Sequence, residues 1–430
     1  MSLTILLVLV VIFSFAVGHL LTRYASRYVA LSGAEYLLVG VLIGPQVASR
    51  LMTTESLSRL EPLIALLLGL VGFVVALHTR DAVRNMRHAI IGFVSAFGVL
   101  LTVGAVTAVL VSRLIPVAPG SLAISRELFR IGRWAIDVHV ATDHLWVAVA
   151  VGAAACVASP FVIESSAKML GARGPVTDVL QSASLTSQVV AVLALGFAEA
   201  MARATDAANR FGVGVGKWAV AAAGIGIVCG LLFSLFIGRE KDATHIFLAS
   251  VGAVIFASGV GSAIGISPLF VNLVAGVTVA ITSPHAGRLR QELDRLQHPL
   301  FVLLMIFAGA LWQPASGWVW TLPLVYLTTR FVARRVWTQA MAALLFPTPL
   351  RAARLGNGLL AQGTMAVAVG VDFSQRFPDY APAVLTTVLC GTLVSDLWSA
   401  RALRAVLLDA GETHVESHLP SSRPLWRATS

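Results

Sequence analysis

Apolar runs long enough to cross a bilayer follow one another along almost the whole chain, and this limits its fold more than any other feature. A spanning helix needs about 20 predominantly apolar residues. Such runs fall at residues 2–21, 34–49, 62–79, 88–112, 144–166, 178–202, 216–237, 244–263, 266–283, 298–313, 319–344, 354–372 and 382–406, about thirteen in all. Charge separates the chain from a soluble helical protein: 12% of its 430 residues are charged, against about 25% in a soluble domain. The expected fold class is an all-α polytopic membrane protein. Residues 1–412 are expected to form one transmembrane domain and residues 413–430 a short, polar, disordered cytoplasmic tail. Residues 4–17 have the apolar core of a leader but no preceding basic residue and no small-residue cleavage site, so they read as a first transmembrane helix.

In a soluble protein a net charge of +10 would suggest nucleic acid. Here the arginines sit between spans, at Arg80, Arg84, Arg87, Arg288, Arg290, Arg295, Arg351 and Arg354. That pattern orients a membrane protein, and no nucleic-acid partner is expected. The excess of basic residues after odd-numbered spans puts the N-terminus outside and the C-terminus in the cytoplasm, in a cell inner (plasma) membrane. Cys156, Cys229 and Cys390 lie far apart within apolar runs, which suggests neither a disulfide nor a metal site. No cofactor and no enzyme activity are expected. The loop 113–143 is long for a bundle. In it Leu128, Ile131, Trp134, Ala135 and Val138 recur at helical spacing between Arg126, Arg130 and Arg133. The spacing predicts an amphipathic helix, lying on the membrane surface or packed between spans.

Two spans are interrupted. Between Cys156 and Gln188, Ser159-Pro160 breaks the fifth span, the chain turns at Gly171–Pro175, and it re-enters the membrane past Ser187-Gln188. Proline removes a backbone hydrogen bond and strains the turn before it. Lipid cannot repair that loss, so such a break is tolerated where it faces protein or a wet cavity. Gln362-Gly363-Thr364 interrupts the twelfth span, seven spans later. Spans two and nine are also seven apart, and both carry Leu-Val-Gly or Leu-Val-Ala-Gly after a polar or proline start, within Ala34–Pro45 and Ser267–Ala280. An odd offset inverts topology, so an inverted repeat with two broken crossing helices is expected.

Taken in order, several segments resemble the monovalent cation:proton antiporters of the Kef type. They are YLLVGVLIGP (Tyr36–Pro45), ASPFVI (Ala158–Ile163), GARGPVTDVL (Gly171–Leu180), GISPLFVNLVAG (Gly265–Gly276), HPLFVLLMIFAGAL (His298–Leu311), RFVAR (Arg330–Arg334), GLLAQGTMAVAVG (Gly358–Gly370) and LRAVLLDAGET (Leu403–Thr413). The resemblance implies a sodium/hydrogen exchanger-like fold, a monovalent cation and a proton as cargo, and a homodimer in the bilayer. It leaves room for a separate regulatory subunit in place of a C-terminal domain. The chain departs from the family at one point: span six carries Ser187 and Gln188 where relatives place aspartates, and Ser159-Pro160 replaces threonine-aspartate in the crossing helix.

An antiporter needs a group for which cation and proton compete, and a carboxylate serves because it coordinates hard cations and titrates. Ser187 and Gln188 offer oxygens that do not titrate. Glu164, about one turn beyond Ser159-Pro160, is the candidate acid; the competing reading pairs it with Lys168 at i+4. Glu199 and Asp372 fall near span ends and read as interfacial, as do His78, His88 and His298; Asp396 reads as structural. Arg330 and Arg334 share a helix face. Their partner is Glu164, Asp396, a helix C-terminus or an anionic ligand, unless they snorkel to the interface. Gln362 and Thr364 suit ion coordination or hydrogen bonding. The candidate substrate-binding set is therefore Ser159, Glu164, Ser187, Gln188, Arg330, Arg334, Gln362 and Thr364. The leading reading is a cation:proton antiporter with an atypical site. The alternatives are a transporter of an anionic or neutral solute, and a non-transporting membrane scaffold or partner subunit.

Overall fold

A computed structural model describes residues 34–47, 57–83, 85–114, 123–125, 130–131, 134–135, 139–205, 215–237, 242–345 and 354–413. The expected first span and the tail beyond residue 413 lie outside them. Apolar runs become helices because backbone groups in hydrocarbon must find their partners within the segment. The helices are α1 (Ala34–Ile43), α2 (Glu61–Val83), α3 (Met86–Leu114), α4 (Thr142–Cys156), α5 (Pro160–Leu170), α6 (Pro175–Thr205), α7 (Val215–Ile237), α8 (Ala243–Ile264), α9 (Pro268–Thr282), α10 (Ala286–Leu311), α11 (Thr321–Leu345), α12 (Leu355–Gly358), α13 (Gly363–Arg376) and α14 (Ala381–Asp409). Among the described residues eight helical stretches are long and apolar enough to cross a membrane, α4 with α5 counting as one.

The described parts of loop 113–143 overturn the expected amphipathic helix. Ala123–Ser125 (β1) pairs antiparallel with His139–Ala141 (β4), and Arg130–Ile131 (β2) with Trp134–Ala135 (β3). Pro116 and Pro119 oppose continuation of α3, and β-branched Ile131 and Val140 favour extended backbone over the helix that apolar spacing alone suggests.

The helices sort into two groups. In the first, α3 packs on α4, α6 and α11, while α13 and α14 pack on each other and on α4. In the second, α2 lies against α9, α9 against α7, and α1 against α10. A seam runs between them where α6 meets α2 and α9, and α13 meets α10. Close approach rests on glycine. A Cβ on Gly40 would stand 2.1 Å from the Ile306 carbonyl oxygen, and one on Gly309 2.2 Å from that of Leu37. This is the physical content of the glycines in the α1 and α10 motifs.

The end of α14 is tied back to the start of α6. Glu412 accepts hydrogen bonds from Val176 N (2.6 Å), Thr177 N (2.9 Å) and Thr177 Oγ1 (2.8 Å), filling donors that the first helical turn leaves open.

Gly309→Val is expected to force α1 off α10 and destabilise the protein by about 1–3 kcal/mol or more, read as a lower thermal unfolding midpoint in detergent. Gly287→Ala, on the same helix with nothing within 4 Å of its Cβ position, should leave that midpoint unchanged or slightly higher.

Candidate substrate site at the crossed helix breaks

The first break is the non-helical Val157-Ala158-Ser159 between α4 and α5. Pro160 opens α5 at a position whose N–H needs no intrahelical partner. The second break runs from Leu359 to Gln362, and Gly363 opens α13 at φ +65°, a conformation open to glycine at little cost. The breaks are stitched together: Ser159 N donates to Ala361 O at 2.8 Å, and a Cβ on Gly363 would lie 2.7 Å from Ser159 Oγ.

One end of each break has a charged cap. Arg330 is 2% exposed and Arg334 0%, so neither snorkels. Arg330 donates from Nε to Ala155 O (2.9 Å) and from a terminal nitrogen to Val157 O (3.1 Å), and Arg334 donates to Cys156 O. Of the partners open to them in the sequence, the structure supplies the C-terminus of α4. Asp396 accepts from Gln362 N at 2.9 Å and Gly363 N at 3.4 Å, capping α13. Two other candidates also serve the break. Ser187 accepts from Ala158 N (3.0 Å) and donates to Ser184 O (2.7 Å). Gln362 donates to Ala154 O (3.0 Å) and touches the Tyr326 hydroxyl.

Ser159, Gln188 and Thr364 face open space. They line a narrow chamber of about 80 Å³ with Asp294, Gln297 and His298. Gln188, Asp294 and Gln297 also line a cavity of about 990 Å³ that runs along the seam past Glu164, Asp178, His78 and His88. Glu164 lies on the wall of this larger cavity, not in the narrow chamber. Its carboxylate is 48% exposed and pairs with Lys168 at 2.6 Å. Neither arginine lines either space.

Asp294 is the carboxylate that sequence reasoning missed. The tenth span read as starting at residue 298, but α10 begins at Ala286. Leu289 and Leu293, buried and one turn apart, were the helical signal. Asp294 Oδ1 lies 3.2 Å from His78 Nε2, and Arg290 Nε lies 3.7 Å from Oδ2. His78 Nδ1 contacts Val74 O at 2.9 Å. A carbonyl only accepts, so Nδ1 carries a hydrogen and Nε2 is the nitrogen turned to the carboxylate. His78 therefore belongs to the cavity wall. Glu199 and Asp372, expected at the interface, are buried at 4% and 0% exposure, on the opposite side of the breaks from the cavity.

A family model described as "Sodium/hydrogen exchanger, transmembrane" matches residues 36–404. The fold matches a structure of the sodium proton antiporter MjNhaP1 from Methanocaldococcus jannaschii at pH 8, with 14% identity and a TM-score of 0.68 over 95% of this chain and 99% of that one. It also matches an electron-microscopy structure of the same antiporter at 16% identity and a TM-score of 0.62, over 95% and 98%. No curated protein matches the sequence.

Arg330→Met would leave the Ala155 and Val157 oxygens unpaired, at about 1–3 kcal/mol each. The expected result is a loss of folded, monodisperse protein on size exclusion, with Arg330→Lys recovering part of it.

Proposed function

Because the chain belongs to the sodium/hydrogen exchanger family, we propose that it exchanges a monovalent cation, sodium or potassium, for protons by alternating access. The observation that carries this reading is the cavity that ends at the crossed breaks beside Gln188 and Asp294. The cation enters from the arginine-rich side, which the basic-loop rule assigns to the cytoplasm. It rests among the oxygens of Ser159, Gln188 and Thr364, which are neutral, with Asp294 supplying the charge. Asp294, with His78 Nε2 at 3.2 Å and Arg290 Nε at 3.7 Å, is in this reading the acid for which a cation and a proton compete. In this reading Glu164 is a wall residue paired with Lys168.

Within the family, the motif order and the departure at Ser187-Gln188 support a divergent Kef-type member. The stitched breaks, seven spans apart, support an inverted repeat. Rocking of the α3–α6, α11–α14 group against the other would move the site from one side to the other. A homodimer in the bilayer, and a regulatory subunit on a separate chain, are proposed with it.

The test is flux in proteoliposomes with an imposed pH gradient. Sodium or potassium should dissipate the gradient. Asp294→Asn should slow this by roughly tenfold or more, the effect of about 1.4 kcal/mol of lost binding. Gln188→Ala should weaken it through the apparent cation affinity, and Glu164→Gln should leave it in place. Loss in Glu164→Gln alone would return the titrating role to Glu164. No response of folded, inserted protein to any cation would sink the antiport reading, leaving a non-transporting scaffold or a carrier of another solute.

A further inference from the structure

Across the breaks from the cavity, a second polar cluster sits in the seam. It joins Glu199 of α6 and Asp372 and Arg376 of α13 to Ile266 and Ser267, just ahead of α9. Ser267 Oγ donates to an Asp372 carboxylate oxygen and accepts from Phe270 N at 2.9 Å. Arg376 donates to Ile266 O, and its Nε lies 4.0 Å from a Glu199 oxygen. α6 and α13 belong to one helix group and α9 to the other, so these contacts hold the seam shut where the cavity does not reach. Glu199 is eleven residues along α6 from Gln188 and Asp372 nine along α13 from Gly363, or roughly 16 and 14 Å at the helical rise.

The cluster holds two carboxylates and one guanidinium. Glu199 is 4% exposed and Asp372 fully buried. Neither Glu199 oxygen accepts a hydrogen bond of full geometry, nor does Asp372 Oδ1, and the Leu269 main-chain N–H lies beside Asp372. The charged groups that act on Glu199 are Asp372 and Arg376, with the Ser267 main chain beside it. From α4, the other buried titratable group at this end is His144, whose ring stands edge-on to that of Tyr380. One arginine leaves one negative charge over. A second buried negative charge with no countercharge is costly, and one proton shared by the pair removes it. The proton turns an acceptor into a donor and gives the orphaned oxygens a partner.

We propose that Glu199 and Asp372 form a proton-binding site, sharing one proton whose presence keeps this side of the seam closed. When the seam opens, Ser267 and Ile266 withdraw and water reaches the carboxylates, which then ionise. The closed arrangement therefore binds the proton more tightly than the open one. By linkage, acid on this side favours the state whose cavity opens on the other. The proton site stands without the antiport reading; only the transport consequence of the opening rests on that reading.

The experiment uses the full-length chain in lipid nanodiscs, titrated from acid to alkaline pH without flux. Infrared difference spectra should show a carboxylic-acid C=O band in wild type that is lost in Glu199→Gln or in Asp372→Asn. Two variants are used because one alone could misfold. Protection from deuterium exchange over residues 265–270, taken relative to the intrinsic base-catalysed rate at each pH, should be high in acid and fall in alkali for wild type, and lose that pH dependence in the variants. An unchanged band in both folded variants would overturn the proposal, as would seam exchange with the wild-type pH dependence in both. Protection by sodium at alkaline pH, with no carboxylic band, would also overturn it, replacing the proton by a cation. Absence of flux in liposomes would leave these readouts intact.

Discussion

A helix that stops in the middle of a membrane leaves its last carbonyls without partners where water is scarce, at the negative end of its dipole. α4 does this at Cys156, and the rest of the site follows from how that end is satisfied. Two buried arginines on α11 donate to the carbonyls of residues 155, 156 and 157. The facing start of α13 has the opposite need, which Asp396 on α14 meets. Since α11 and α14 also pack on each other, the two caps hold four broken or crossing segments in one frame. The Ser159–Ala361 hydrogen bond is affordable only inside it.

This use of charge explains why the centre has no free ion-binding charge of its own. Arg330, Arg334 and Asp396 answer backbone dipoles, and Ser187 and Gln362 answer backbone groups. What this helix group leaves open to the chamber is neutral: Ser159, Gln188 and Thr364. The carboxylate that lines the chamber comes from across the seam, on α10. A ligand held between Asp294 on one helix group and neutral oxygens on the other loses contacts whenever the groups move apart. Binding is then coupled to the relative position of the groups without any further device, because only a differential interaction with two states shifts them.

The fold was largely legible because hydrophobic length is a strong signal: every expected span that falls on described residues overlaps helix, with bounds that differ by up to twelve residues. Both breaks were legible as well, since proline and glycine act through backbone geometry that is local in sequence. The failures share a cause. Asp294 was hidden because α10 begins as an amphipathic helix before its apolar span, and a search for uniform apolarity starts too late. Glu199 and Asp372 looked interfacial because each sits near the end of its own helix. Their burial comes from a third element, the turn at Ile266-Ser267, more than 60 residues from one and more than 100 from the other. Apolar spacing in 113–143 was the weakest signal, because such spacing fits short hairpins as readily as a helix.

The two ends of the seam differ in how their charges are arranged. At the cavity end, Asp294 and His78 both belong to the second helix group and face water, so a change in their occupancy leaves the contact between groups untouched until a cation reaches across to Gln188. At the closed end, Asp372 is bonded through Ser267 to the opposite group, so occupancy there acts on the contact itself. A seam with fixed charges at both ends would have one preferred opening, set once by packing. Under the proposed exchange each end carries acids that bind ions, and the preference of the seam follows their occupancy. This gives a physical reason for buried carboxylates to persist at the closed end, where an apolar contact would pack at least as well and with less penalty.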